Sequence, residues 1–600
     1  MNKIIINIAS AILLLLTMSS CEDFLTQDNP NELPKTKFWT NLYDCEVGLV
    51  AVYNQLRNTG IIQLDAATNR SDLSWPGYGR PNTSNEYYLH TFTDGSGAPN
   101  GQWQNLYKGI FRANQVIEGL NGISDQMEKD EDKEQWTRLM GEARFFRGLF
   151  YFWLHSAFNK GSVPIFDYVP ELEEEFYQKL RPEEEVRAFF IEDLTFAYNN
   201  LEWTYTEFSD AGEPTSPKIA GRITKGSAAG ILGKSYLYQK QYDDAAFYLK
   251  EIIESNKYQL AKPNENSTTV GEFNQESLIE IAYDYSYKQE ENQWSPLGTT
   301  NAYATTVSPV GGWRGIIPSC WLIREFQNEE VDGNDHRNQV DEPIYDVNTG
   351  VEIGRRKIRS HSLRASYSIL LADDDDNDYY GEKAYSKAPL NNLETAYFRK
   401  LSNYDILSNE NDQTQRSGIN YRVLRLADVY LMYAECLIKG GEDESGAKEA
   451  VKYLNKVRHR SALKLYGMAA DGEFPDLGST YYNKTLPADT VMHKIMFVER
   501  PLELCLEGFM DRQIDLRRWG ITKQRFIDLS QNQYHGENFE YYNFEEKKKS
   551  IKYGAILADG IAGDPNKTLV DYQQAAANYI QDLHGWWPIP NSETTANPNL

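Results

Sequence analysis

The chain has 600 residues, 13% of them aromatic, and 61 basic against 87 acidic side chains give a formal net charge of −26. That balance excludes a nucleic-acid binder, which needs clustered Lys and Arg to neutralise phosphate, and adhesion to anionic lipid through a basic face. The aromatic excess lies in Tyr, 40 residues against 12 Trp and 25 Phe, and Tyr is the ring that tolerates water at one end.

In chain order, Lys3 is followed by an apolar run from Ile4 to Met18, broken only by Asn7, Ser10 and Thr17, and then by Ser19, Ser20 and Cys21. A charged start, a short apolar segment and small residues before a cut predict a signal peptide over residues 1–20. The run is too short for a spanning helix, which needs about 20 apolar residues. Cys21 directly after the small residues reads as a lipoprotein signal, with Cys21 the lipidated N-terminus of the mature chain. The competing reading is an ordinary secretory peptide with a chance Cys. Cys45, Cys320, Cys436 and Cys505 show no CxxC spacing, so neither structural zinc nor a disulfide framework is expected.

The first helix is expected over Phe38–Asn58, where Leu42, Cys45, Leu49, Val52, Tyr53 and Leu56 recur in steps that make one face. The stretch that follows, Ser71–Tyr88, reads "SDLSWPGYGRPNTSNEYY". It sets Trp75 and Tyr78 among Gly, Pro and Ser with neither helical period nor strand alternation. Further helices are expected over Trp103–Asn121, Glu134–Phe158 and Arg181–Leu201. The last of these opens with Pro and acids, as a helix N-terminus should. Thr224–Tyr258 splits into two amphipathic helices at "KQYDD", with small residues Ala228, Ala229, Gly233, Ala245 and Ala246 at the crossings. Two helices in about 34 residues is the tetratricopeptide pattern. Asn420–Leu463 repeats the plan. The fold class is therefore mainly α: about four helix pairs in a tetratricopeptide-like scaffold, with large irregular inserts and a few short strands.

Between the two clearer pairs, Tyr283–Gly315 is rich in Gly, Pro, Thr and aromatics, Trp294, Tyr303 and Trp313 among them. Long irregular excursions in compact domains are usually functional or disordered, and the aromatic content argues against disorder. Residues 331–400 continue with polar loops and strand-like pieces.

Several ordered segments now carry a resemblance. "CEDFL", "GEARFFRGLFYFWLHSAFNKGSVPIF", "GRITKGSAAGILGKSYLY", "YRVLRLADVYLMYAECLIKGG", "NKVRHRSAL", "IMFVERPLELCLEGFMDRQIDLRRWG" and "WWPIPNSETTANPNL" resemble, in order, the SusD/RagB family of Bacteroidetes outer-membrane lipoproteins. Pro501 departs from that family, which more often has a helix former there. The resemblance implies an N-terminal helical region over 21–270 and a C-terminal region over 271–600 that includes the variable ligand-binding insert. It implies a non-enzymatic protein without cofactor, held by lipid at the outer membrane and exposed at the cell surface. It also implies that the protein passes oligosaccharides to a TonB-dependent barrel of the SusC type.

Glu142, Arg144 and Arg147 on one predicted helix read as paired charges rather than a catalytic cluster. Glu499, Glu503, Glu507, Asp511 and Asp515 recur every four residues. That spacing places them on one solvated or Arg-paired helix face, not across a substrate from one another as acid–base chemistry needs. "ADDDDNDYYGE" fails the EF-hand pattern and reads as a solvated acidic loop, although its oxygens suit calcium. The aromatic loops remain. A Trp or Tyr face stacks on the C–H patch of a sugar ring while polar side chains take the hydroxyls. The expected platform is Trp75, Tyr78, Trp294, Tyr303 and Trp313, with Asp72, Arg80 and Asn85 as polar partners. For any one ring the competing role is to pin a long loop onto the scaffold. Trp103, Trp136, Trp153 and Trp321 are assigned to packing. Two alternatives remain: a peptide or protein carrier of the same family, and a helical glycoside hydrolase.

Overall fold

The structure, a computed structural model, describes residues 38–77, 84–209, 212, 214–215, 221–285, 299–374, 376, 378–405, 417–467, 474 and 486–600. Cys21, Tyr78, Arg80 and Trp294 lie outside the described residues.

Among the described residues, eight helices form the scaffold and each packs against the next in the chain. They are α1 (Leu42–Leu56), α2 (Gly97–Gly122), α3 (Asp130–Ala157), α4 (Glu183–Asn200), α5 (Lys225–Tyr238), α6 (Tyr242–Glu254), α7 (Leu426–Leu437) and α8 (Ala447–Arg460). Four consecutive pairs result, as the sequence predicts. Local signals set the starts: the Asn41 side chain accepts the Asp44 N–H at the head of α1, and Thr224 and Ser227 form a capping box on α5. From Leu139 onward every residue of α3 except Arg144 is buried. A helix apolar on all sides belongs at the centre of a layer, and α3 packs between α2 and α4. The small residues of the α5–α6 pair do what their spacing suggests. A Cβ at Gly233 would lie 2.7 Å from Leu249 Cγ, so the close crossing requires glycine. No described helix is long and apolar enough to cross a membrane.

The strands of the described residues form separate antiparallel pairs. Strand β1 (Ser74–Pro76) pairs with β3 (Ile316–Pro318), and β2 (Ser277–Ile281) with β8 (Tyr421–Arg425). The others are β4 (Gln339–Tyr345) with β5 (Glu352–Ile358), β6 (Ile369–Leu371) with β7 (Ala396–Phe398), and β9 (Tyr534–Asn543) with β10 (Lys548–Asp559).

The carboxylate series at 499–515 departs from expectation. It is divided among a π-helical turn (Ile495–Glu499), a short helix (Arg500–Leu504) and, after a break, α9 (Asp511–Arg518). Pro501 has no N–H to give the carbonyl four residues back, and a π-turn next to it accommodates the missing bond. Left-handed backbone at Leu506, Gly508 and Met510 then ends the helix. Glu499, Glu503 and Asp515 are buried and Arg-paired, Glu507 is partly buried and paired, and Asp511 is buried against Lys234 at 2.6 Å. Glu499 meets Arg364 at 2.8 Å and Arg458 at 2.7 Å, and Glu507 meets Arg425 at 2.6 Å and Lys400 at 2.7 Å. Glu503 takes Arg425 at 2.8 Å and Arg460, and Asp515 takes Arg500 and Arg518, each at 2.7 Å. Burial alone would raise the pKa of Glu499, Glu503 and Asp515, but the guanidiniums outweigh it and hold all three below the usual carboxylate range.

Two smaller readings resolve in the same way. Glu142 is buried, accepting from Tyr53 Oη at 2.6 Å and from Arg138 and Arg222 at 2.9 Å, while Arg144 and Arg147 both bind Asp193. The acidic loop at 372–382 is not simply solvated. Asp374 is buried, Asp376 pairs with Arg356 of β5 at 2.9 Å, and Asp373 lies 2.9 Å from His361 Nε2.

Candidate functional site

The short β1–β3 pair joins the two aromatic loops. Trp75 stands opposite Ile317, and the Gly77 N–H donates to Gly315 O at 3.2 Å. Strand β3 is preceded by a compact excursion. A short helix (Tyr303–Val307) is overlaid by residues 308–315, whose Trp313 and Gly315 N–H groups donate to Thr305 O at 2.6 Å and Thr306 O at 2.7 Å. The turn is tight. Arg314 adopts φ 55°, the left-handed region, and a Cβ at Gly312 would lie 2.4 Å from Ser308 O. A bulky residue at positive φ costs of order 1–3 kcal/mol and persists only where the surroundings fix it; such strain clusters at ligand sites. Here it holds Trp313 outward, 57% exposed.

The ends of the segments outside the described residues meet around this excursion. The Asp284 N–H donates to Thr299 O at 2.7 Å, and Asn301 and Ser417 exchange two backbone bonds at 2.9 and 3.0 Å. Tyr78 and Arg80 follow Gly77 directly, and Trp294 belongs to the segment bounded by Tyr285 and Thr299.

Of the predicted platform, Trp313 alone among the described rings faces solvent. Trp75 is 1% exposed, with its ring 4.7 Å from that of Tyr88 and inclined at 65°. Tyr572 closes over this pair, its hydroxyl donating to Ser74 O at 3.0 Å. Tyr303 is 5% exposed and packs edge-on to Tyr283 and obliquely to Tyr421, a pedestal beneath the Trp313 loop. Burial, then the neighbouring Tyr283, pushes its phenol well above the ordinary range.

The polar partners are corrected likewise. Asp72 is fully buried, accepting from Arg512 Nε and Nη2 at 2.7 Å and Arg525 Nε at 2.8 Å. Burial works to raise its pKa, but the two guanidiniums carry it below the usual value. It ties the first loop to α9 and is closed to a ligand. Asn85 is an N-cap, its Oδ1 accepting from the Tyr87 and Tyr88 N–H groups at 3.1 and 3.0 Å. Trp103, Trp153 and Trp321 are buried, as packing requires.

One polar group was missed. Arg314 follows Trp313 directly and donates through Nη1 to Glu394 Oε2 at 2.9 Å; the same oxygen accepts from Tyr397 Oη at 2.6 Å. Arg314 remains partly exposed while Glu394 is buried, so a fixed guanidinium stands beside the exposed ring. The adjacency in "GGWRG" was the available signal. Glu394 lies 80 residues away, with no local cue.

Comparison with known proteins places this geometry. The model described as "SusD family" matches residues 275–600, and a second, described as "Starch-binding associating with outer membrane", matches residues 23–207. A SusD-like protein of Formosa agariphila is 25% identical over 544 residues, covering 87% of this chain and 91% of its own. A SusD superfamily structure from Bacteroides vulgatus superposes with a TM-score of 0.65 at 20% identity, covering 94% of this chain and 98% of that one. A laminarin-binding SusD-like protein superposes with a TM-score of 0.59 at 21% identity, covering 93% and 98%. With more than half of its length matched by the family model and the same helical architecture throughout, this chain belongs to the SusD family.

Proposed function

We propose that this protein is a non-catalytic glycan-capture lipoprotein of the cell surface. It is anchored to the outer membrane through Cys21 and hands oligosaccharides to a SusC-like TonB-dependent transporter. The observation that carries the reading is Trp313, a large flat ring held into solvent on a strained, hydrogen-bonded turn beside a positioned guanidinium. A Trp face covers the C–H patch of a pyranose while Arg314 donates to its hydroxyls. Binding residues on loops held by a rigid scaffold suit such recognition. Tyr78, Arg80 and Trp294 belong to segments that join this region and are proposed to extend the platform. The 499–515 carboxylates are committed to ion pairs within the scaffold, which favours capture over hydrolysis.

The test is a glycan-array profile of the unlipidated chain from Glu22, with laminarin oligosaccharides included, followed by calorimetry on the best ligand. The reading expects at least one glycan to bind without release of new reducing ends. An array on which nothing binds while a peptide panel does, or steady hydrolysis of the bound glycan, contradicts it.

A further inference from the structure

A cleft of about 310 Å³ opens between α2, the loop at 164–177 and the C-terminal residues 593–597. It shares no residue with the Trp313 region, and its size lies at the lower end of ligand pockets, about 300–1,000 Å³. Trp103, Tyr107 and Phe111 line one wall from successive turns of α2. Phe166, Phe176 and Tyr177 form the facing wall, and Ala596 closes one end.

Most polar atoms of these walls are already paired within the protein. Tyr107 Oη donates to Pro164 O at 2.8 Å, and Tyr168 Oη to Glu175 O at 3.1 Å. Asn114 Nδ2 donates to Phe166 O and Tyr168 O at 3.0 and 2.9 Å, while its Oδ1 accepts from Arg147 at 3.0 Å. Trp103 Nε1 is directed at Glu593 at 3.3 Å. A sugar ring placed here would lose water from its hydroxyls and gain few partners, which is costly. An apolar side chain loses nothing of the kind. Phe176, 46% exposed, carries the apolar surface to the mouth.

The rim supplies the second half of the specificity. Glu593 lines the cleft on one side, and on the facing side Glu173 accepts from Tyr177 Oη; Asp167, Glu171 and Glu174 are exposed on the same loop, and Lys108 and Lys179 stand next to lining residues or within two positions of them in the chain. Carboxylates on both sides of an apolar opening complement a chain whose anchor residue is bracketed by cations. We propose that this cleft docks a basic polypeptide segment through one aromatic or branched aliphatic side chain, at a site separate from the glycan platform.

The test uses the peptide acetyl-Gly-Lys-Phe-Lys-Gly-amide, titrated into the unlipidated chain from Glu22 by calorimetry, beside counterparts with Gly in place of Phe and with Glu in place of both Lys. The Phe peptide is expected to bind and both counterparts to bind at least about ten-fold more weakly, the scale on which aromatic anchors matter. Two variants control for folding: Phe176→Ala removes an exposed wall, and Ala596→Trp fills the cleft from an exposed position. Each should reduce peptide binding by a similar factor while leaving the melting temperature and glycan binding unchanged. Raised salt should weaken the Phe peptide, because the rim charges are solvent-exposed. Absence of binding by the Phe peptide, equal binding by either counterpart, or loss of glycan binding in Phe176→Ala each overturns the proposal. The last outcome would reassign the cleft to carbohydrate and leave the reading of Trp313 to stand or fall on its own variants.

Discussion

The two aromatic loops make an instructive pair. "SWPGYG" and "GGWRG" each set one Trp among glycines and feed the same β1–β3 pair, yet Trp75 is 1% exposed and Trp313 is 57% exposed. The difference is register. Trp75 is itself a strand residue, opposite Ile317, and its ring is covered by Tyr88 and then Tyr572. Trp313 sits before the strand begins, on a turn whose backbone is spent on Thr305 and Thr306. Where a ring enters a ladder, tertiary neighbours claim it. Where it tops a turn, it stays exposed to solvent. The same holds for polar residues: Asp72 is consumed by two arginines, while Arg314 is fixed by one carboxylate and kept partly open.

The largest expected effect breaks the buried side of the comparison. Asp72→Ala leaves Arg512 and Arg525 without their shared carboxylate and should cost about 3–5 kcal/mol in denaturant unfolding. Trp75→Ala should cost a similar amount, about 3–5 kcal/mol, through the cavity left beside Tyr88. A melting temperature unchanged by both would mean that the first loop is not part of the core.

The acid limb sharpens the point. The folded pKa of Asp72 is depressed, so its contribution is present above the unfolded value of about 3.9 and is lost as pH falls through the folded value. Wild-type stability should therefore drop below about pH 4, and Asp72→Asn, already weakened, should show a flatter acid limb. Equal slopes would remove Asp72 from the account of acid unfolding.

Smaller in energy is the effect on the exposed side. Arg314→Ala should weaken glycan binding several-fold, on the order of the 0.5–1.5 kcal/mol of one net hydrogen bond, with stability nearly unchanged. A second pH effect runs the other way. Burial first, and then Glu280, pushes Glu272 up to about 8. A carboxyl with a raised folded value stabilises fully below its unfolded pKa and loses that contribution as pH rises towards the folded one. Stability should thus decline between about pH 4.5 and 8, and Glu272→Gln should remove the decline.

The helix pairs were legible because their information is local. Small residues at the α5–α6 crossing, the period of α1 and the Pro-acid start of α4 each act within a turn or two. The carboxylate series misled for the opposite reason. Its spacing of four implied one helix, but the break at 505–510 is marked in sequence only by Gly508, and the arginines that bury the acids come from 364, 425, 458 and 460. The β9–β10 hairpin went unread because its half-exposed strands carry charges on both faces and so lack clean alternation. The site was half legible. Composition identified both loops, but β1 and β3 are about 240 residues apart in the chain, and no local rule tells which ring the pairing will cover.

The most direct measurement is a calorimetric titration of one array-positive glycan into wild type, Trp75→Ala and Trp313→Ala, each with its melting curve. The account predicts that Trp313→Ala melts like wild type and binds at least about ten-fold more weakly, as loss of an aromatic contact should. It also predicts that Trp75→Ala melts far lower and, while folded, retains affinity. Full affinity in Trp313→Ala, together with loss of binding in a stable Trp75→Ala, would contradict it.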